Sequence, residues 1–130
     1  MITTVLDTNI ILRYLLQDIQ SQFEQAKEVI EEIEGGKRSG LLSILVMNEL
    51  IWILEKYYEL KRPIFIPKIE KILMIEQMKI IEVKKEVIMQ VLQKMRKNRF
   101  DFTDMYLAAN YSQAEIFSFD KDFGKIYKKN

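Results

Sequence analysis

MITTVLDTNIILR, residues 1–13, is the stretch of sequence that decides the fold. Residues 2–6 are β-branched or aliphatic, which predicts a short strand of the kind buried in a parallel sheet. Apolar residues at turn spacing predict a helix directly after Asp7. A carboxylate therefore stands at the carboxyl end of the first strand, where open α/β sheets bind ligands. The alternative is that Asp7 only caps the helix, since aspartate is a preferred N-cap residue.

The composition limits the chemistry that the chain can perform. Its 130 residues, 48% hydrophobic and 30% charged, predict a single domain over residues 1–130. Cysteine and histidine are both absent, which excludes disulfides, thiolate nucleophiles and imidazole acid–base catalysis. The net charge of +1 gives no global signal for nucleic acid, so any such site must come from local clustering. We find no apolar run of about 18 residues and no signal peptide, and therefore expect a cytoplasmic protein without membrane contact.

Strand and helix patterns alternate along the whole chain. Further strands are predicted at residues 39–44, 79–83 and 115–119, with amphipathic helices between them. This alternation predicts βαβ crossovers, and hence an α/β fold: a three-layer α/β/α sandwich around a mostly parallel sheet of four to five strands. Such crossovers bring the carboxyl ends of the strands to one edge of the sheet.

Acidic residues recur at these strand ends. Asp7 follows the first strand, Glu49 opens the helix after the second, and Asp120 follows the fourth. Asp104 opens the helix that leads into the fourth strand, and Asp101 has the position of its N-cap. Several carboxylates within a few ångströms repel one another unless a cation holds them, and oxygen ligands suit Mg²⁺ or Mn²⁺. For Glu49 the alternative is an exposed first turn, where a carboxylate favours the helix dipole.

Two further stretches of the sequence are candidate surfaces for binding partners. A basic run follows the helix before Asp101 and is either a solvated helix end or a phosphate-binding surface. Its residues are Lys94, Arg96, Lys97 and Arg99. The helix at residues 45–60 is apolar nearly all round, which predicts burial, and an aromatic and aliphatic cluster near its end predicts an interface patch. The patch comprises Tyr57, Tyr58, Ile64, Phe65 and Ile66.

Four short motifs in this order give a family resemblance that covers the whole chain. They are LDTNII around Asp7, MNEL with Glu49, DFTD followed by LAA after Asp101, and SFDKDF from Ser118. Together they resemble the PIN domain, and within it most closely the VapC toxins of toxin–antitoxin pairs. Ser118 stands where that family usually has threonine, which keeps the hydroxyl.

The resemblance implies a Mg²⁺- or Mn²⁺-dependent endoribonuclease in which the metal activates the attacking water. It assigns the catalytic and metal-binding positions to four acids and polar supporting positions to Asn9 and Ser118. The four acids are Asp7, Glu49, Asp104 and Asp120. Asp122 is an alternative to Asp120, and Asp101 supports the site as the cap of its helix. The resemblance also implies an RNA substrate, a VapB-like antitoxin and a homodimer, and the basic run is then the candidate RNA-binding surface.

Other functions remain as alternatives. An aspartyl-phosphate phosphatase places a second aspartate two residues after the first, but this chain has Asn9 there. A receiver-like signalling domain needs an acidic pair and a late lysine that we do not find. A non-catalytic PIN-like module that only binds RNA or protein would have lost an acid, and none is missing.

Overall fold

Strands and helices alternate in the computed structural model, which describes residues 1–121, 123 and 125. The strands are β1 (Ile2–Val5), β2 (Arg38–Leu42) and β3 (Met78–Ile80). The helices are α1 (Thr8–Leu16), α2 (Gln20–Glu34), α3 (Ile44–Trp52), α4 (Arg62–Leu73), α5 (Lys85–Met95) and α6 (Phe102–Asn110). A π-helical turn (Ile53–Tyr57) continues α3.

The three strands form one parallel sheet in the order β1–β2–β3. Ile2 lies opposite Arg38, and Gly40 lies opposite Met78. Because all strands run the same way, their carboxyl ends meet at one edge, as predicted. The α/β class with helices flanking a parallel sheet is confirmed.

The predicted strand at residues 115–119 is wrong. This segment has no regular structure, and its two phenylalanines, Phe117 and Phe119, are 83% and 96% exposed. The Ser118 hydroxyl accepts a hydrogen bond from the backbone N–H of Asp120 at 3.0 Å. Such local side-chain bonding competes with a strand ladder for backbone groups. The sheet within the described residues therefore has three strands, not four to five.

The first strand is correspondingly an edge strand and not a buried one. Within the described residues β1 pairs with β2 alone, and Ile2 and Val5 are 62% and 65% exposed. The β-branched composition predicted the strand correctly, but burial depends on a neighbour that the described chain does not place there.

The core lies between the sheet and the helices, as their apolar spacing predicts. On α5 it contains Ile88, Val91, Leu92 and Met95, all fully buried. The centre of the sheet is packed tightly at Gly40. A Cβ atom there would lie 2.7 Å from Ile33 Cδ1 and 2.8 Å from Met78 Sδ, which leaves no room for a side chain without movement.

The predicted helix at residues 45–60 is divided into α3 and the π-helical turn. In that turn the N–H of Tyr58 donates to the carbonyl of Ile53 at 3.0 Å, five residues back. The stripe with Met47 and Leu50 is buried as predicted. The expectation that the rest is buried is wrong for one face, because Leu45 and Trp52 are 75% and 60% exposed.

The predicted aromatic patch is also divided. Tyr57 and Ile64 are exposed, but Phe65 and Ile66 are buried in the core. The physical reason is that α4 begins at Arg62, so its helical period turns these two residues inward. A continuous interface patch over residues 57–66 is therefore wrong.

Candidate functional site

Asp7 lies at the carboxyl end of β1, as predicted, and is the N-cap residue of α1. Its Oδ1 accepts a hydrogen bond from the Thr8 N–H at 2.6 Å. The interpretation of Asp7 as a helix cap is therefore confirmed, and it does not exclude a second role for this side chain. The side chain remains exposed, and so does Asn9 in the first turn of α1.

Glu49 and Asp104 lie on neighbouring helices. Glu49 is the sixth residue of α3 and is exposed, so it does not open that helix as predicted. Asp104 is the third residue of α6, which follows its N-cap residue Asp101, and is half-buried.

A side-chain hydrogen bond joins these two helices next to the acids. The Thr103 hydroxyl donates to Asn48 Oδ1 at 3.2 Å, and each of these residues adjoins an acid in the sequence. Helix α3 also packs against α1. Helix α3, which carries Glu49, therefore contacts both α1, which follows Asp7, and α6, which carries Asp104.

The fourth predicted acid is not held by a strand. Asp120 is exposed in the irregular segment after α6, and Asp122 lies outside the described residues. Among residues 1–121, 123 and 125, no group of three or more carboxylates is placed so that it could hold a metal ion. Carboxylate oxygens are the ligands that suit a hard divalent ion, so the described acids have the right chemistry although they are not gathered into a cluster of three.

Glu82 is an acid at this edge that the sequence interpretation missed. It follows β3, and its Oε1 accepts the N–H of Ile44 at 2.8 Å while its Oε2 accepts the Ser43 hydroxyl at 2.5 Å. Burial raises the pKa of Glu82, but the hydrogen bonds from Ser43 and Ile44 outweigh it, so the pKa is lowered overall. The missed signal was the strand end itself, because residues 79–83 were all assigned to the third strand.

Tyr106 on α6 extends this polar group. Burial raises the pKa of its phenol, with further contributions from Tyr111 and from the negative charge of Glu82. The Asn110 side-chain amide donates to Tyr106 Oη at 3.3 Å. Helices α3 and α6 meet at the Asn48–Thr103 contact.

The basic run follows α5 and extends into the next connection. Arg96 forms an ion pair with Glu70 of α4, and Lys94 is exposed in the last turn of α5. Lys97 and Arg99 are exposed on one wall of a cleft of about 770 Å³.

A largely buried ion pair, Arg62 with Glu55, lines this cleft. Arg62 is only 9% exposed; its Nε donates to Glu55 Oε2 at 2.6 Å and its Nη1 donates to the Asn98 carbonyl at 2.8 Å. The Arg62 hydrogen bond lowers the pKa of the Glu55 carboxyl, against the opposing effect of burial. The pair ties the π-helical turn to the start of α4 and to the end of α5.

No helix within the described part of the chain is long and apolar enough to cross a membrane.

A comparison with protein-family models matches the PIN domain over residues 4–129. Comparisons with curated proteins and with solved structures give no match. PIN domains are typically metal-dependent nucleases, and the family implies binding of nucleic acid. The parallel sheet, its flanking helices and this match over nearly the whole chain agree: the chain belongs to the PIN domain family.

Proposed function

We propose that this chain is a metal-dependent endoribonuclease with its active site at the carboxyl edge of the sheet. The observation that carries the proposal is the contact of α3 with both α1 and α6, in a chain that belongs to the PIN family. Asp7 is the N-cap residue of α1, Glu49 lies on α3 and Asp104 lies on α6. The match to the PIN domain supports nuclease chemistry in general, and the acids supply oxygen ligands for it.

In this proposal four acids are the catalytic and metal-binding residues, with Mg²⁺ or Mn²⁺ as the cofactor. They are Asp7, Glu49, Asp104 and Asp120. These acids would hold the divalent ion, which would supply an activated water molecule and neutralise charge at the phosphate. The cap bond to Thr8 fixes one oxygen of Asp7 and leaves the other oxygen for a ligand.

Other polar residues support these acids. Asn9 lies two residues after Asp7 on α1, and Asp101 is the N-cap residue of α6. Ser118 restrains the backbone at Asp120 through its 3.0 Å hydrogen bond. Asp122 remains an alternative to Asp120. We also assign RNA contacts to the basic run, because an acidic site needs cations nearby to approach a polyanion. These residues are Lys94, Arg96, Lys97 and Arg99.

We further propose that the chain is a single-domain, cytoplasmic, VapC-like toxin with a VapB-like antitoxin and a homodimeric state. The support is the order of the four motifs, which resembles that of VapC toxins along the whole chain. The test is growth of a bacterial culture after induced expression of the wild type or of Asp104→Asn. Growth arrest by the wild type alone supports the toxin role, and equal growth of both cultures contradicts it.

A second candidate is a PIN-like module that binds RNA or protein without cleaving it. One observation favours it: among the described residues no three carboxylates are placed to hold a metal ion. In this alternative the exposed acids are solvated caps and helix surface.

One assay separates the two candidates. Purified protein is incubated with a labelled RNA carrying single- and double-stranded segments, in Mg²⁺, in Mn²⁺ and in EDTA. The nuclease proposal expects cleavage that EDTA abolishes and that Asp104→Asn loses. The matched control is Asp18→Asn, which changes an acid paired with Arg13 at the end of α1 and should leave cleavage unchanged. Metal-independent cleavage, or full activity of Asp104→Asn, contradicts the proposed mechanism.

A further inference from the structure

Helix α3 is held at its amino end by a residue that follows a different strand. Glu82, which comes after β3, accepts the Ile44 N–H at 2.8 Å through Oε1 and the Ser43 hydroxyl at 2.5 Å through Oε2. The first N–H groups of a helix have no acceptor within that helix, so Glu82 supplies the one that Ile44 lacks. Its negative charge also lies at the positive end of the helix dipole. The amino end of α3 is therefore tied to the end of β3.

Two further contacts hold α3 along its length. The Thr103 hydroxyl of α6 donates to Asn48 Oδ1 at 3.2 Å. At the other end, the π-helical turn that continues α3 is bound through Glu55 to Arg62 of α4. Each contact reaches a different element, so α3 is held at three separate points.

Glu49 lies between the first two of these contacts. It directly follows Asn48 and comes five residues after Ile44, which is about 7.5 Å along the helix axis. Its side chain is exposed, so packing in the core does not fix it. The place of its carboxylate therefore depends on where α3 as a whole is held.

The contact with Glu82 is the stronger of the two that flank Glu49. It comprises two hydrogen bonds to a carboxylate, and bonds to an ionised group are roughly twice as strong as neutral ones. The contact between Asn48 and Thr103 is a single neutral bond at 3.2 Å between two exposed residues. Loss of Glu82 should therefore move the amino-terminal half of α3 more than loss of Thr103.

We propose that Glu82 is a positioning residue for the candidate active site, because it sets the place of Glu49 relative to Asp104 through the amino end of α3. The proposal rests on the ribonuclease function proposed above and adds a residue outside the four acids. Both oxygens of Glu82 accept hydrogen bonds from the start of α3. Glu82 therefore acts through the helix and not on the substrate or the metal.

The first measurement needs no activity. Amide exchange and amide chemical shifts are recorded by NMR for the wild type, Glu82→Ala and Glu82→Gln. In Glu82→Ala the Ile44 N–H should exchange several-fold faster, and the amide resonances of Asn48 and Glu49 should shift. Glu82→Gln should change both less, because its amide oxygen can still accept the Ile44 N–H. Unchanged resonances of Asn48 and Glu49 in Glu82→Ala would overturn the proposal.

The second measurement is the kinetics of RNA cleavage in Mg²⁺. Glu82→Ala should lower kcat by about ten- to hundredfold, the range for residues that orient metal-binding side chains, with KM nearly unchanged. Glu82→Gln should recover most of the loss, whereas a metal ligand would not be rescued by a side chain without an anionic oxygen. The matched control is Ile88→Val, which removes one methylene from a fully buried residue of α5. It should lower the melting temperature and leave kcat unchanged.

The third measurement asks whether Glu82 acts through Glu49. In a Glu49→Gln background, Glu82→Ala should change kcat far less than in the wild type, because the effects of residues that act together are not additive. Equal losses in the two backgrounds, an equal loss in Ile88→Val, or no rescue by Glu82→Gln would overturn the positioning role. If the wild type cleaves RNA in neither Mg²⁺ nor Mn²⁺, the nuclease proposal fails, and the NMR measurement alone decides whether Glu82 positions Glu49.

Discussion

Glu82 caps α3 by accepting the backbone N–H of Ile44 at 2.8 Å. The cap comes from a different element, because Glu82 follows β3 while Ile44 follows β2. Ser43, the N-cap residue of α3, donates its hydroxyl to the same carboxylate and accepts the Leu45 N–H. The helix that carries Glu49 is therefore anchored to two strand ends at once.

We predict that Glu82→Gln lowers the free energy of unfolding by about 0.5–1 kcal/mol at neutral pH, the scale of a lost charged N-cap. The pKa of Glu82 is lowered in the folded chain, so its contribution is present above the unfolded pKa and is lost as pH falls through the folded pKa. The melting temperatures of the two proteins should thus converge in acid. Thermal melts between neutral pH and the acid range measure this.

The control for that experiment is Glu28→Gln, which changes an exposed acid on α2. Its difference from the wild type should stay small at every pH. A Glu82→Gln difference that does not shrink in acid would argue against the charged cap.

Asp7 allows capping and catalysis to be separated by two substitutions. Asparagine is as good an N-cap as aspartate, so Asp7→Asn should keep the melting temperature close to that of the wild type. Asp7→Ala removes the cap and should cost about 1 kcal/mol. If Asp7 is a metal ligand, both variants lose RNA cleavage, because neither side chain offers an anionic oxygen. Retained cleavage in Asp7→Asn would mean that Asp7 is only a cap.

Arg62 is predicted to be a stability residue. Arg62→Met leaves Glu55 without its ion pair and removes the bond to the Asn98 carbonyl. We expect a loss of about 2–4 kcal/mol, the range for removing one member of a largely buried charged pair. Denaturant unfolding measures it, with Lys61→Met as the exposed neighbouring control, for which we expect less than about 0.5 kcal/mol. A similar small loss for both would show that the pair contributes little.

Gly40 is predicted to be required for packing at the centre of the sheet. Gly40→Ala places a Cβ 2.7 Å from Ile33 Cδ1 and should destabilise the fold by about 1–3 kcal/mol, as overpacking does. Ile33→Val removes that Cδ1 atom. The double variant should therefore be more stable than the sum of the single losses predicts, since contacting residues are not additive. Additive losses in unfolding experiments would place the conflict elsewhere.

Most of the fold follows from local patterns in the sequence. The β-branched run before Asp7 predicts a strand, and the turn-spaced apolar residues of α5 predict a helix with a buried face. The segment at residues 115–119 is also rich in apolar and aromatic residues, yet its backbone bonds locally through Ser118. Composition indicates that a strand is favourable and does not supply the neighbour with which it pairs.

The sequence predicts a site residue correctly only where its place depends on its position along one strand or helix. Asp7 at a strand end is of this kind. Glu82 binds the backbone of Ile44, a residue distant in sequence, across a contact between separate elements. The exposure of Trp52 likewise depends on which face of α3 the core leaves open, and a helix that is apolar all round does not reveal that.

The outer side of β1 bears on how the chain behaves as its concentration rises. Along that side, in the described residues, backbone donors and acceptors face no neighbouring strand, and the exposed side chains Ile2 and Val5 are apolar. An extended segment from another molecule can add to such an edge through main-chain hydrogen bonds. Association by this route would grow with protein concentration and respond little to ionic strength, because it joins uncharged backbone groups.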